Sequence, residues 1–254
     1  MINLQKASFG KRIIAAIFDG ILLSIIAVGL IALLSGIFKT DTYLNTYQEA
    51  YNKYSTEYNI NLTANEYSEL TPEQKSDYDA KVVLAEEAFS KDEAAVYAYN
   101  MFINLSLIII TFSVLIGTVV IEFIVPLFFG NGQTLGKKIF GIAVMHVDTV
   151  KVNGVQLFAR AVLGKFTFEI MIPLAIIMMI FFNLIGIMGS IILFAIVIAE
   201  IICLVYNKKN MLLHDVIAAT VCVDFLSQKI FESREEKEAF IKKKAADEAE
   251  KAAY

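Results

Sequence analysis

The stretch IIAAIFDGILLSIIAVGLIALLSGIF, residues 13–38, decides which class of protein this chain belongs to. It contains one charged residue, Asp19, and is otherwise almost entirely apolar. A helix needs about 20 apolar residues to cross a bilayer, so this stretch predicts a membrane-spanning helix. It is too long for the apolar region of a secretory signal peptide, and further apolar runs follow it. We therefore expect a retained first span of a membrane protein.

The composition supports the same class of protein. Of the 254 residues, 57% are hydrophobic and 19% are charged, and the mean hydropathy is +0.62. That balance is too apolar for an ordinary soluble domain. Two cysteines and two histidines cannot build a disulfide framework or a zinc site made of cysteine pairs. We predict no cofactor, no metal site and no nucleic-acid partner, and the lipid bilayer as the environment of the chain.

Two later apolar runs complete the predicted set of spans. Residues 101–129 contain a single charge, Glu122, and predict one helix. Residues 166–206 are about twice as long as one span, and polar and small residues such as Asn183 and Gly186 lie at their midpoint. We predict an all-α membrane protein with four transmembrane helices. Its expected segments are 1–38, 39–100, 101–129, 130–165, 166–206, 207–231 and 232–254.

The distribution of charge predicts the orientation. Residues 39–100 carry twelve acidic residues and five lysines, whereas residues 1–12, 130–165 and 207–231 carry three, five and three Lys or Arg beside three Asp in total. Lysine and arginine are enriched in cytoplasmic loops. We therefore expect a multi-pass protein of the cell membrane with both termini in the cytoplasm and residues 39–100 outside.

The acidic segment 39–100 predicts an extracytoplasmic helical hairpin. Five tyrosines recur every three or four residues, which places them on one face of a helix that continues from the first span: Tyr43, Tyr47, Tyr51, Tyr54 and Tyr58. Thr71-Pro72-Glu73-Gln74 has the form of a capping box, and a second helix is expected to run unbroken from there into the membrane. The tyrosine face is interpreted as the seam of the hairpin, and an aromatic platform for a ligand is the alternative.

The predicted cytoplasmic segments are short. Apolar and polar residues alternate loosely over residues 139–148, and Val150–Val155 contain residues that favour a turn. Together these segments predict a β-hairpin. Leu157, Ala161 and Gly164 recur on one side, without Arg160 and Lys165, which predicts an interfacial amphipathic helix. The apolar stretch 211–223 is too short to span and is expected at the cytoplasmic face. The tail 232–254 mixes acids, bases and alanines and predicts a solvated helix.

Charges inside the predicted spans are the candidate functional residues. Asp19, Glu122 and Glu200 come from three helices at about the same depth, roughly 9–11 Å inside the cytoplasmic boundary. Ionisable groups in hydrocarbon are costly and are usually functional. Arg12 shares a helix face with Asp19, and we expect Arg12, Asp19 and Asp215 to form one polar network. Glu169 lies near a span end, where snorkelling explains it. Candidate partners of the carboxylates are Arg160, Lys165 and His214.

Three motifs resemble the RDD family of bacterial integral membrane proteins. They are RIIAAIFD at residues 12–19, GQTLGKKIFG at residues 132–141 and LHDVIAAT at residues 213–220. The resemblance covers residues 8–38 and 101–224, whereas the long outer segment and the turn at 148–154 depart from the compact family pattern. Family membership implies membrane insertion and a role in transport, with cation–proton exchange as one suggestion.

Two classes of function remain open at this point. In the first, the carboxylate layer carries protons or small cations across the membrane. In the second, the same charges lock a membrane scaffold that docks an assembly partner through its outer hairpin. The residues nominate no nucleophile with its base, so we expect no enzyme. Four spans are few for a transporter, so a homo-oligomer is expected.

Overall fold

A computed structural model describes residues 4–181, 186–206 and 209–252. Three of its helices are long and apolar enough to cross a membrane: Phe9–Phe38, Glu93–Phe129 and Gly154–Ile180. Many of their large apolar side chains are exposed on the protein surface, including Ile17, Ile21 and Ile25 on the first helix. Such side chains suit contact with lipid tails. The fold is mostly helical, with one small sheet.

The elements follow in chain order. The α-helices before the sheet are α1 (Phe9–Phe38), α2 (Thr40–Glu57), α3 (Ala64–Glu69), α4 (Pro72–Lys91), α5 (Glu93–Val119), α6 (Val125–Phe129) and α7 (Leu135–Ile139). They are followed by β1 (Ile142–His146), α8 (Gly154–Phe158), α9 (Ile172–Phe181), α10 (Gly186–Tyr206), α11 (Leu213–Ile217), β2 (Thr220–Asp224) and α12 (Arg234–Ala252). Two π-helical segments, Val120–Ile124 and Ala159–Met171, lie inside the second and third long helices.

The chain divides into two compact units, one formed by Met1–Ala27 with Ser113–Tyr254 and the other by Val28–Phe112. In the first unit, β1 and β2 pair antiparallel, with Ile142 opposite Asp224 and His146 opposite Thr220. The prediction of a local β-hairpin is wrong about the partner strand. Residues near 151 contribute two isolated bridges, one between Met145 and Lys151 and one between Val150 and Phe231. Both strands are buried on both faces, and pairing them encloses one apolar cluster on each face.

The helix Gly154–Ile180 also differs from the prediction. It is continuous, so there is no separate interfacial helix before the span. Arg160 is 2% exposed, on the same buried side as Leu157, Ala161 and Gly164, where the prediction excluded it. The ion pairs described below compensate for its burial, because a buried charge needs a close partner. The turn predicted near Asn183 lies outside the described residues, and α9 and α10 on either side of it pack together.

In the second unit, helices α2 and α4 pack together. The capping box at Thr71 is confirmed, since Thr71 accepts from the Gln74 N–H and Gln74 accepts from the Thr71 N–H. The two helices are not continuous with the spans, in contrast to the prediction. Lys39 adopts a left-handed conformation (φ 51°), which ends α1. Asp92 ends α4 and caps α5, because its carboxylate accepts from the Ala95 N–H (3.1 Å) and the Tyr54 hydroxyl (2.9 Å).

Candidate functional site

Ten charged or titratable side chains of the first unit form a connected cluster, which we call the ionic network. Separate elements supply them: α1, the π-helical segment at 120–124, α7, the helix Gly154–Ile180, α10 and α11. The members are Arg12, Asp19, Glu122, Lys137, Arg160, Lys165, Glu169, Glu200, His214 and Asp215. The network therefore joins the three motifs that lie far apart in the sequence.

Asp215 is the centre of one half of the network and is fully buried. Its Oδ2 lies 3.0 Å from Nη2 of Arg12, and its Oδ1 lies 3.0 Å from Nε of Arg160. Burial raises the pKa of the Asp215 carboxyl, but the charges of Arg160 and Arg12 and the hydrogen bond from Arg160 lower it by more, so the net shift is downward. Asp215 is therefore a carboxylate at neutral pH and holds two arginines from different helices.

Glu122 is the centre of the other half. Three cations surround its carboxylate: Lys137 Nζ at 3.2 Å, Arg160 Nη1 at 3.6 Å and the ammonium group of Lys165. Burial lowers the pKa of the Lys137 ammonium, and the charges of Lys165 and Arg160 lower it further, against the opposing effect of Glu122. Arg160 contacts both Glu122 and Asp215 and so connects the two halves.

Asp19 binds the turn that contains GQTLGK. The hydroxyl of Thr134 donates to Asp19 Oδ2 at 2.5 Å, and the backbone N–H of Gly136 donates to Oδ1 at 2.8 Å. A Cβ on Gly136 would lie 2.4 Å from the carbonyl oxygen of Ala15. Only glycine permits this close approach of α7 to α1, which explains why the turn carries a glycine there.

His214 lies between Arg160 and a pair of glutamates. Arg160 Nη2 lies 2.8 Å from His214 Nε2, and a guanidinium can only donate, so Nε2 accepts. The imidazole proton is thus on Nδ1, which lies 2.5 Å from Glu169 Oε1. Burial, and next the charge of Arg160, lower the pKa of His214, in agreement with a neutral ring.

Glu169 and Glu200 approach the start of α11 from two different helices. Glu169 Oε1 accepts from the backbone N–H of His214 (3.2 Å), and Glu200 Oε2 accepts from that of Leu213 (3.2 Å). The first N–H groups of a helix have no partner within the helix, so these carboxylates satisfy them. In the part of the chain that the structure describes, no nitrogen or hydroxyl group donates to the buried Glu200 Oε1, and the Glu169 carboxyl lies within side-chain hydrogen-bonding range of the Glu200 carboxyl.

The third motif places α11 tightly against the long helix. A Cβ on Gly164 would lie 2.5 Å from Cβ of His214 and 2.7 Å from its Cα. The absence of a side chain at position 164 therefore allows His214 to sit between Arg160 and Glu169.

The structure brings together most of the residues that the sequence nominated. Arg12 and Asp215 are in direct contact, and Arg160, Lys165 and His214 all contact carboxylates. Asp19 is bound to the turn at 134–136 rather than directly to Arg12. Sequence reasoning missed two members: Lys137, which was treated as part of a basic loop, and Glu169, which was assigned to snorkelling. For Lys137, the available signal was its place in the GQTLGK motif. For Glu169, the signal was its position one helical turn after Lys165.

Comparisons with known proteins agree with the motifs. No curated protein and no solved structure is significantly similar to the chain. The profile of the RDD family matches residues 6–219, a range that includes every member of the ionic network. With three apolar helices of spanning length among the residues that the structure describes, this multi-pass membrane protein belongs to the RDD family.

Proposed function

We propose that the chain crosses the membrane four times, with both termini in the cytoplasm. Helix α10 is the fourth span in this proposal, since its 21 residues measure about 31 Å at 1.5 Å per residue. The lysines and arginines of residues 1–12, 130–165 and 207–231 support the orientation, because such residues are retained on the cytoplasmic side. Residues 39–100 then face outward.

Single-cysteine labelling tests this topology. In a Cys203→Ala background, where the remaining Cys222 is buried, Ser68→Cys should react with an impermeant maleimide added to intact cells. Ser233→Cys should react only after the membrane is opened, because the proposal places it inside. Reaction of both positions from the same side would exclude four spans with cytoplasmic termini.

We propose further that the protein exchanges protons for small cations across the membrane, through the glutamate pair Glu169 and Glu200. The observation that carries this function is the buried Glu200 Oε1, which lacks a hydrogen-bond donor in the described chain and experiences the charge of Glu169. Two neighbouring carboxylates repel one another where the dielectric constant is low. Either a proton or a small cation relieves that repulsion, so the two compete for one position.

The remaining carboxylates are less suited to that exchange. Asp215 and Glu122 are already neutralised by arginines and lysines, and Asp19 is occupied by Thr134 and Gly136. In the proposed cycle, a proton leaves the glutamate pair to one side and a cation enters from that same side. The cation then leaves to the other side and is replaced by a proton from there, so the pair keeps the same net charge. His214 holds Glu169 in place through its Nδ1 proton, and Arg160 fixes the imidazole.

Proteoliposome flux tests the proposal. Glu200→Gln keeps an oxygen that accepts from the Leu213 N–H but removes the titratable proton, so the variant should fold with a melting temperature near that of the wild type. Its cation-dependent proton flux, read from an entrapped pH dye, should fall to the level of protein-free liposomes. Asp224→Asn is the control, because that carboxylate pairs with the exposed Lys11 outside the network and should leave flux unchanged.

A folded Glu200→Gln variant with wild-type flux would contradict exchange at this pair. The scaffold function would then account better for the network, with Glu169 and Glu200 serving only to cap α11. The scaffold function alone predicts that the wild-type protein shows no cation-dependent flux above the protein-free control.

A further inference from the structure

The second unit contains a cavity of about 420 Å³ that lies between α2, α4 and the start of α5. This volume is within the range of about 300–1,000 Å³ that small-molecule sites occupy. Aromatic rings make up most of its wall: Tyr47, Tyr51, Tyr54, Tyr78, Tyr99 and Phe89. The cavity is partly open to solvent, and the Tyr51 ring in its wall is 51% exposed, so a ligand can enter it.

Tyr47 is the central ring of the wall. Its centroid lies 5.4 Å from that of Tyr99, 5.9 Å from that of Phe89 and 6.2 Å from that of Tyr51. The interplanar angles of 45°, 84° and 37° show that the rings are tilted against one another, not stacked in parallel. Several differently oriented aromatic faces around one space form an arrangement that suits a cation.

The charges around the cavity also favour a cation. Glu86 is the only charged residue of the lining, and no cation pairs with it among the described residues. Residues 39–100 carry twelve acidic residues against five lysines, so the potential around the cavity is negative.

We propose that this cavity binds a small organic cation with an alkylated ammonium group. Apart from Glu86, Ser55 and the tyrosine hydroxyls, its lining is apolar, and two of those hydroxyls already donate to Asp92 and to the carbonyl of Ile60. A primary ammonium would lose its water there without gaining enough hydrogen-bond acceptors. An alkylated ammonium is weakly hydrated and gains from ring faces, so it suits this wall. The site is independent of the exchange proposed for the ionic network.

Tyrosine fluorescence of the full-length protein in detergent tests the site. The chain has no tryptophan, and nine of its eleven tyrosines lie in residues 39–100, so the emission reports mainly on this unit. Choline is the probe, and its neutral carbon isostere 3,3-dimethylbutan-1-ol is the control ligand. Choline should change the emission saturably, with half-saturation at or below about 1 mM, and binding should weaken as salt increases. The neutral alcohol should bind more weakly.

Variants locate the binding. Tyr51→Leu, at a ring that is 51% exposed, should weaken choline binding by about three- to tenfold, since one cation–π contact is lost. Glu86→Gln should weaken it by about threefold, as expected for a partly exposed charge pair. Glu87→Gln is the matched control, because that carboxylate pairs with Lys91 outside the lining and should not change binding. Circular dichroism checks that each variant is folded.

Three outcomes would overturn the proposal. They are the absence of saturable binding, equal binding of choline and the neutral alcohol, and equal loss of binding in Glu86→Gln and Glu87→Gln. Proton flux through the ionic network is measured separately, so a failure of this site and a failure of the exchange function are distinguishable.

Discussion

Asp215→Asn should lower the free energy of unfolding by about 3–5 kcal/mol, as is typical when one partner of a buried ion pair is removed. The variant keeps the size of the side chain but leaves the guanidinium groups of Arg12 and Arg160 without their shared anion. Arg160 is buried and the Arg12 side chain is only 9% exposed, so water replaces the lost charge poorly. Denaturation of the purified protein in mixed micelles, followed by circular dichroism, measures the loss.

Asp224→Asn, the same chemical change at an exposed pair, is the matched control and should change stability little. The pH dependence gives a second check. The pKa of Asp215 is lower in the folded chain than in the unfolded chain, so its stabilisation is present above about pH 4 and is lost as the pH falls. The wild type should therefore lose more stability than Asp215→Asn on acidification. Equal stability of both variants at neutral pH would contradict the buried network.

Glu122→Gln should lower the free energy of unfolding by a similar amount, about 3–5 kcal/mol at neutral pH. It removes the carboxylate that forms ion pairs with Lys137, Lys165 and Arg160. Three buried or partly buried cations then repel one another. The same micelle denaturation measures the effect, and Glu93→Gln, at the exposed start of α5, is the control and should behave as the wild type.

The difference in stability between the wild type and Glu122→Gln should become smaller as the pH rises. Burial already lowers the pKa of Lys137, and removing Glu122 lowers it further below the value of about 10.4 in the unfolded chain. The unfolded state therefore binds more protons, and stability increases with pH until the lysine is neutral in both states. A deficit that stays constant between pH 7 and about pH 10 would show that Glu122 acts through packing and not through charge.

The sequence predicted the elements whose signal is local. Hydropathy located the apolar helices, since each residue contributes separately to the free energy of transfer into lipid. The capping box at Thr71 was also readable, because its two hydrogen bonds join residues three positions apart. The breaks at Lys39 and Asp92 were not predicted, since both residues can continue a helix. Asp92 ends α4 because its carboxylate binds Tyr54, 38 positions away.

Arg160 shows why the site was only partly predictable. Helical spacing at 3.6 residues per turn places it on the same side as Leu157 and Gly164, three and four residues away, so its exclusion from that side did not follow from the spacing. The reason for its burial is not local, because the carboxylates that stabilise the buried guanidinium come from positions 122 and 215.

The sequence by itself therefore determined the membrane class, the RDD family and the identity of most charged residues in the network, since hydropathy and short motifs depend on nearby residues. Only the tertiary structure decided which charges meet. Arg12 and Asp215 are 203 residues apart in the sequence, and β1 pairs with the distant strand β2 rather than with the residues that directly follow it. Such pairings depend on how all the elements pack together. Each buried charge and each buried strand edge needs a partner, and that partner can come from any part of the chain.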